Sequence, residues 1–268
     1  MMTYSVILNL TAIIALLLPA LYYIKMPKEV NFLFWFLTVL ALVTSASWSG
    51  FLLSHAIAIS LGSAIWLSVT TTLLTFIFLC LFVPLSRRLT PLLMPYLGLL
   101  GFGAFIWFIV TSDSQKDHHI QNPWVIFHIT LTLFTYALAT LAAISALSAF
   151  IMEKSLKSKK PNLLSALLPS VFDSEMLTVK LLFGSELILG LGILSGIGIN
   201  FMEYQTFLIF DHKTLFSISA FVVIGGLLLS HQRYGTRGKQ ASRFVLVAYL
   251  MLNLGFLGVK FVTDLLNV

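Results

Sequence analysis

The chain has 268 residues, of which 59% are hydrophobic and 10% charged, with a formal charge of +6 and a mean hydropathy of +0.98. A soluble domain carries roughly 25% charged residues, and a β-barrel would show short alternating segments in place of long apolar runs; both are excluded. A single cysteine, Cys80, rules out an internal disulfide framework, and no CxxC pair is present for thiol redox chemistry or covalent haem attachment.

Apolar runs long enough to cross a bilayer recur from end to end. They predict an all-α polytopic transmembrane bundle of about eight spans, at 4–24, 31–54, 60–84, 90–111, 124–151, 176–201, 214–233 and 244–264, forming one integral membrane domain over 1–268. The first run is too long for a signal-peptide core and lacks a basic leader, so it reads as a retained helix. Pro27, Pro91 and Pro123 fall near helix starts, where proline is tolerated.

Lys25 and Lys28 follow span one, Arg87 and Arg88 span three. Lys154, Lys157, Lys159 and Lys160 follow span five; Arg233, Arg237, Lys239 and Arg243 follow span seven. The other connections hold Lys116 and Lys213. Basic loops stay on the cytoplasmic side, which predicts both termini on the outer, periplasmic side. It also explains the net charge without nucleic acid. The longest inner connection, 153-EKSLKSKKPNLLSALLPSVFDS-174, carries a stretch suited to a short interfacial helix.

Five of six histidines then fall on the outer side. His55 closes span two, His118 and His119 lie in a polar loop, His128 is one turn inside span five, and His212 precedes span seven. His231 ends span seven on the inner side. Neutral imidazoles bind haem iron or another metal, and His55 with His128 is the natural pair by depth. The plainer reading is that each hydrogen-bonds a neighbouring helix or water. Lys213 and Lys260 are outward cations suited to a carboxylate guest, although lysines near helix ends commonly snorkel. Trp124 reads first as an interfacial belt residue and second as a stacking surface.

Lys180 and Glu186 lie within span six. A lone intramembrane carboxylate is costly, so Glu186 is expected to be neutral or locally hydrogen-bonded. The run 190-GLGILSGIG-198 has no preceding strand. Gly192 and Gly196 read as a GxxxG packing face, not as a dinucleotide fingerprint. No Ser-His-Asp order, HExxH or P-loop appears, and no enzyme is expected.

The segment 128-HITLTLFTYALATLAAISAL-147 resembles the His-led helix of the cytochrome c assembly family of membrane haem-handling proteins, in its short eight-helix YpjD/HemX-like branch. Pro169, Glu175 and Lys180 fit its Pro- and Glu-containing connection and basic position, and 194-LSG-196 fits its Ser-Gly helix end. The segment 211-DHKTLFSISAFVVIGGLLLSHQRYGTRGKQ-240 resembles its Lys-led helix and basic Gly-x-Arg-Gly turn (Gly235, Arg237, Gly238), and 254-LGFLGVKFV-262 its final helix. The resemblance implies that His128 is the outer haem-handling histidine and His231 the inner one, with haem b held non-covalently. The sequence departs from the larger members at 199-INFMEYQTFLIFD-211, which lacks their Trp-rich segment, and at Thr236, where they carry tryptophan.

The expected function is therefore haem binding or delivery in cytochrome c assembly, in a bacterial inner membrane, beside another membrane protein of cytochrome or haem biogenesis. The alternative is a regulatory or scaffolding subunit without haem chemistry. A transporter using Glu186 and Lys180 is disfavoured by the absence of internal repeats.

Overall fold

The computed structural model describes residues 2–26, 31–54, 60–110, 122–159, 163–205, 211–234 and 239–266. All regular structure among them is helical: α1 Met2–Lys25, α2 Phe32–Ser54, α3 Leu61–Phe82, α4 Thr90–Val110, α5 Pro123–Ser158, α6 Leu163–Leu167, α7 Val171–Tyr204, α8 His212–Tyr234, α9 Lys239–Asn253 and α10 Val259–Leu266. A 3₁₀ turn, Pro84–Leu89, leads into α4, and a π-helical turn, Leu254–Gly258, joins α9 to α10. Eight helical segments are long and apolar enough to cross a membrane, in the order expected. The chain is a polytopic helical membrane protein. His55, His118, His119 and the Gly235–Gly238 turn lie outside the described residues.

Two compact units form, one from Met1–His119 with Lys160–Pro169, the other from Ile120–Lys159 with Ser170–Val268. In the first unit α1 packs on α2 and α4, and α3 packs on the same two helices. With no hydrophobic drive between helices in lipid, close approach depends on shape. Two glycines of α4 provide it: a Cβ at Gly98 would meet Leu17 Cδ2 at 3.0 Å, and one at Gly101 would meet Trp66 Cη2 at 3.2 Å. Trp66, against Gly101, is buried to 1% exposure, as is Trp48 against Phe108. Near the start of α4 the Arg87 guanidinium lies 5.3 Å from the Trp35 ring centroid, a cation–π contact.

In the second unit α5 packs on α7 and α9, and α8 packs on the same pair. Asn122 caps α5, accepting from the Trp124 N–H at 3.0 Å, with Pro123 in the first turn. The helix runs 36 residues, past the expected end at 151. At 1.5 Å per residue that is about 54 Å, well beyond a ~30 Å hydrocarbon core. The extension is polar and carries a Glu153–Lys157 pair. Helix α7 begins at Val171, five residues before the expected 176, because Ser170 caps it through the Asp173 N–H. Between them in sequence, and belonging to the first unit, α6 is the short helix expected in the connection between spans five and six.

The α5–α7 seam is lined by small and hydroxyl residues. Ala137, Ala142, Ala146 and Ala149 are buried, Ser145 donates to the Ser174 carbonyl at 2.9 Å, and Ser185 donates to the Thr135 carbonyl at 3.2 Å. The α5–α9 seam holds a polar chain. Tyr249 donates to Tyr136 at 3.2 Å, Tyr136 donates to Asn253 Oδ1 at 2.9 Å, and Thr140 sits 3.0 Å from Tyr249 Oη. Glu186 on α7 faces α8 at a glycine: a Cβ on Gly225 would lie 3.0 Å from Glu186 Oε1. Glu186 Oε2 is buried without a hydrogen-bond partner among the described residues.

Two predictions follow from this packing. Gly101→Leu forces the buried Trp66 ring aside and should destabilise the protein by about 1–3 kcal/mol. Gly103→Leu enters open space and should be near neutral. Thermal unfolding in detergent, followed by tryptophan fluorescence, separates them. Glu186→Gln should keep wild-type stability in the same assay, since a neutral acid and an amide are nearly isosteric. A clear loss in Gln with retention in Asp would show that a charged carboxylate is needed there.

Candidate haem-handling site

His128 lies in the second turn of α5, half-buried against the last third of α7. Its Nδ1 is 2.8 Å from Ser195 Oγ. Ser195 in turn donates its hydroxyl proton to the Gly192 carbonyl at 2.8 Å. When that proton is donated to the Gly192 carbonyl, Ser195 Oγ accepts from His128, and Nδ1 carries the ring proton. The neutral ring then has its lone pair on Nε2. This is the tautomer and orientation a metal-ligating histidine needs, set by a partner behind it.

Gly196 makes the approach possible. A Cβ there would come within 3.2 Å of His128 Cε1 and 3.7 Å of Nδ1. Gly192 has nothing within 4 Å of such an atom. The GxxxG pair is therefore asymmetric: Gly196 supplies the close contact, and Gly192 supplies a carbonyl. One turn further along α5, Thr132 donates to the His128 carbonyl at 2.9 Å.

The other candidates divide between the two ends of the unit. Trp124 is 56% exposed and packs edge-on against Phe127, centroids 6.4 Å apart; Ile126 and Phe127 are also exposed. His212 and Lys213 are exposed at the start of α8. A Cβ at Gly255 of the π-turn would lie 3.9 Å from the Lys213 carbonyl, so the start of α8 abuts that turn.

Asp211 caps α8, accepting from the Thr214 N–H at 2.8 Å. Partial burial raises its carboxyl pKa, but donation from Thr214 and the Lys213 charge outweigh this and leave it below its ordinary value. Lys260 is paired with Asp264 at 3.1 Å, so a carboxylate guest would have to compete for it. His231 lies far from His128, in the last turn of α8, where it lines a small cavity with Glu175, Thr178 and Ser242. No group of three or more His, Cys, Asp or Glu side chains able to hold a metal ion occurs among the described residues.

Ser195 and Asp264 are partners that reading the residues for chemistry passed over. Ser195 was visible as the central residue of 194-LSG-196, but its spacing to His128, 67 residues away in sequence, carries no local signal.

The chain is 38% identical over 275 residues, covering 99% of both proteins, to a protein of Azospirillum brasilense described as an uncharacterized 28.8 kDa protein in the nifR3-like 5' region. No solved structure matches. The model of the cytochrome C assembly protein family matches residues 23–267, from the end of α1 to the last described helix and beyond. The chain belongs to the cytochrome c assembly family.

Proposed function

We propose that the protein handles haem in the bacterial plasma membrane during cytochrome c assembly, holding haem b non-covalently with His128 as an axial ligand. The observation that supports this most is the hydrogen bond between His128 Nδ1 and Ser195 Oγ: with Nδ1–H spent on Ser195, Nε2 keeps its lone pair for a metal. Family membership makes haem the expected guest of that nitrogen.

The donor set fits. A haem asks for an imidazole, apolar contact and cations for two carboxylates. The same end of the unit offers exposed Ile126, Phe127 and Trp124 for contact and exposed Lys213 as a cation, with Lys260 available on leaving Asp264. His55, the second ligand expected from the sequence, lies outside the described residues. His212 stands next in order on the outer side, and His231 serves a separate inner position. When bound, haem supplies the iron that a cytochrome will carry; the chain orients and releases it, and makes no bond itself.

Purified from cells grown with ample haem, the wild-type protein should show a Soret band of six-coordinate, low-spin haem. His128→Ala should lose most of it or turn it high-spin. His118→Ala and His119→Ala should not. Ser195→Ala removes the orienting hydrogen bond and should weaken haem affinity about tenfold, while Ser195→Thr, which restores a hydroxyl, should recover it. A wild-type protein without haem, or a His128→Ala protein with an unchanged spectrum, contradicts the reading.

The proposed orientation places the end of α5 in the cytoplasm. Ser158 is exposed there, and the native Cys80 is buried. A Ser158→Cys protein in intact cells should resist a membrane-impermeant maleimide until the membrane is permeabilised. Labelling in intact cells would reverse the topology.

A further inference from the structure

We propose that the groove between α7 and α8 at the basic end of the second unit binds the headgroup of an anionic phospholipid, with Lys180 as its cation. The groove has a volume of about 280 Å³ and is lined by Val179, Lys180, Phe183, Leu228, His231 and Gln232. Lys180 is exposed and makes no ion pair or hydrogen bond among the described residues.

Lys180 lies nine residues after Val171, about 14 Å along α7, within a candidate span whose other charged residues are Asp173, Glu175 and Glu186. A lysine at such a depth turns its ammonium back toward the interface, and an unneutralised ammonium there attracts an anion.

The walls are graded in the sense a lipid requires. On α7, Phe183 lies one turn deeper into the span than Lys180. On α8, which runs the other way, Leu228 lies one turn deeper than His231. Apart from Val179 beside Lys180, both helices thus line the groove with polar groups nearer this end of the unit and apolar ones toward the middle of the spans. A phosphodiester set between Lys180, His231 and Gln232 would leave its acyl chains against Phe183 and Leu228. A free phosphate would leave those apolar walls unused, which favours the lipid.

The surroundings carry the matching charge. Arg233 and Arg243 are exposed at this end, as are Lys154 and Lys157 on α5. Basic pockets between transmembrane helices on the cytoplasmic side suit acidic headgroups. The Glu175 carboxylate lines a neighbouring, smaller cavity of about 30 Å³ that shares His231, and it does not line this groove.

Native mass spectrometry of the full-length, delipidated protein tests the proposal, with dioleoyl phosphatidylglycerol and dioleoyl phosphatidylcholine as probes. The wild type should bind one phosphatidylglycerol with about fivefold preference, the scale of one lysine at an anionic surface. Lys180→Gln should bring the preference near one. Lys180→Arg should retain it, which separates loss of the site from loss of the fold. Lys157→Gln, at the same end but paired with Glu153, should leave it unchanged. Equal binding of both lipids by the wild type, or a preserved preference in Lys180→Gln, overturns the proposal. Displacement of the lipid by millimolar inorganic phosphate would reassign the groove to a free anion and overturn it as well.

Discussion

The second unit is organised around a hydrogen bond that an imidazole in a membrane helix cannot forgo. A polar ring placed in a low-dielectric span loses water and must find a partner, or the helix carries the full desolvation cost. His128 finds Ser195, and Ser195 is itself anchored to the Gly192 carbonyl. The relay requires α5 and α7 to approach closely enough for Gly196 to matter. The alanine- and serine-rich seam from Thr135 to Ala149 holds that approach along the rest of the pair. The same contact that satisfies the helix leaves Nε2 with a lone pair when Nδ1 is the donor. Packing and chemistry are one constraint here.

The remaining seams of the unit follow the same logic with different groups. Between α5 and α9 the Tyr136, Tyr249, Asn253 and Thr140 side chains satisfy one another. Interhelical hydrogen bonds of this kind average about 0.6 kcal/mol each in membranes, so their main effect is to fix register. The π-turn begins directly after Asn253, whose amide also donates to the Tyr249 carbonyl at 2.8 Å. Such turns shift the face of a helix and are frequent near functional sites. Here the turn brings Gly255 against Phe216 at the start of α8, close to Lys213. The two ends of the unit are distinct: one has a histidine held by Ser195 and an apolar, aromatic rim, the other a strongly basic surface.

Much of this was legible in the sequence, for reasons of scale. Apolar runs of 18 or more residues are a strong signal, and eight helical spans emerged in the expected order. The ends were less legible. Helix α5 continues past 151 because its polar tail is a good helix former, which a hydropathy pattern does not register. Helix α7 starts early because of the Ser170 cap, a local signal lying in the connection where only a short interfacial helix was expected. The order of His128, the Ser-Gly pair and the Lys-led α8 carried the family. Ser195 as the partner of His128, Asp264 as the partner of Lys260 and Gly225 as the seat of Glu186 were harder to read. The His128 and Glu186 contacts join separate helices, and such pairings depend on rotation and register that composition does not encode. The Lys260–Asp264 pair is four residues apart on one helix and lay within reach of an i, i+4 reading.

The central claim is that Ser195 holds His128 as the Nδ1-protonated tautomer, leaving Nε2 as the ligating nitrogen. Nitrogen-15 NMR of histidine-labelled protein in its haem-free form, with His128 assigned by comparison with His128→Ala, reads the two ring nitrogens directly. The account predicts a neutral ring with the protonated-nitrogen shift at Nδ1, and loss of that fixed state in Ser195→Ala. A ring protonated at Nε2, or one averaging between tautomers in the wild type, would contradict it.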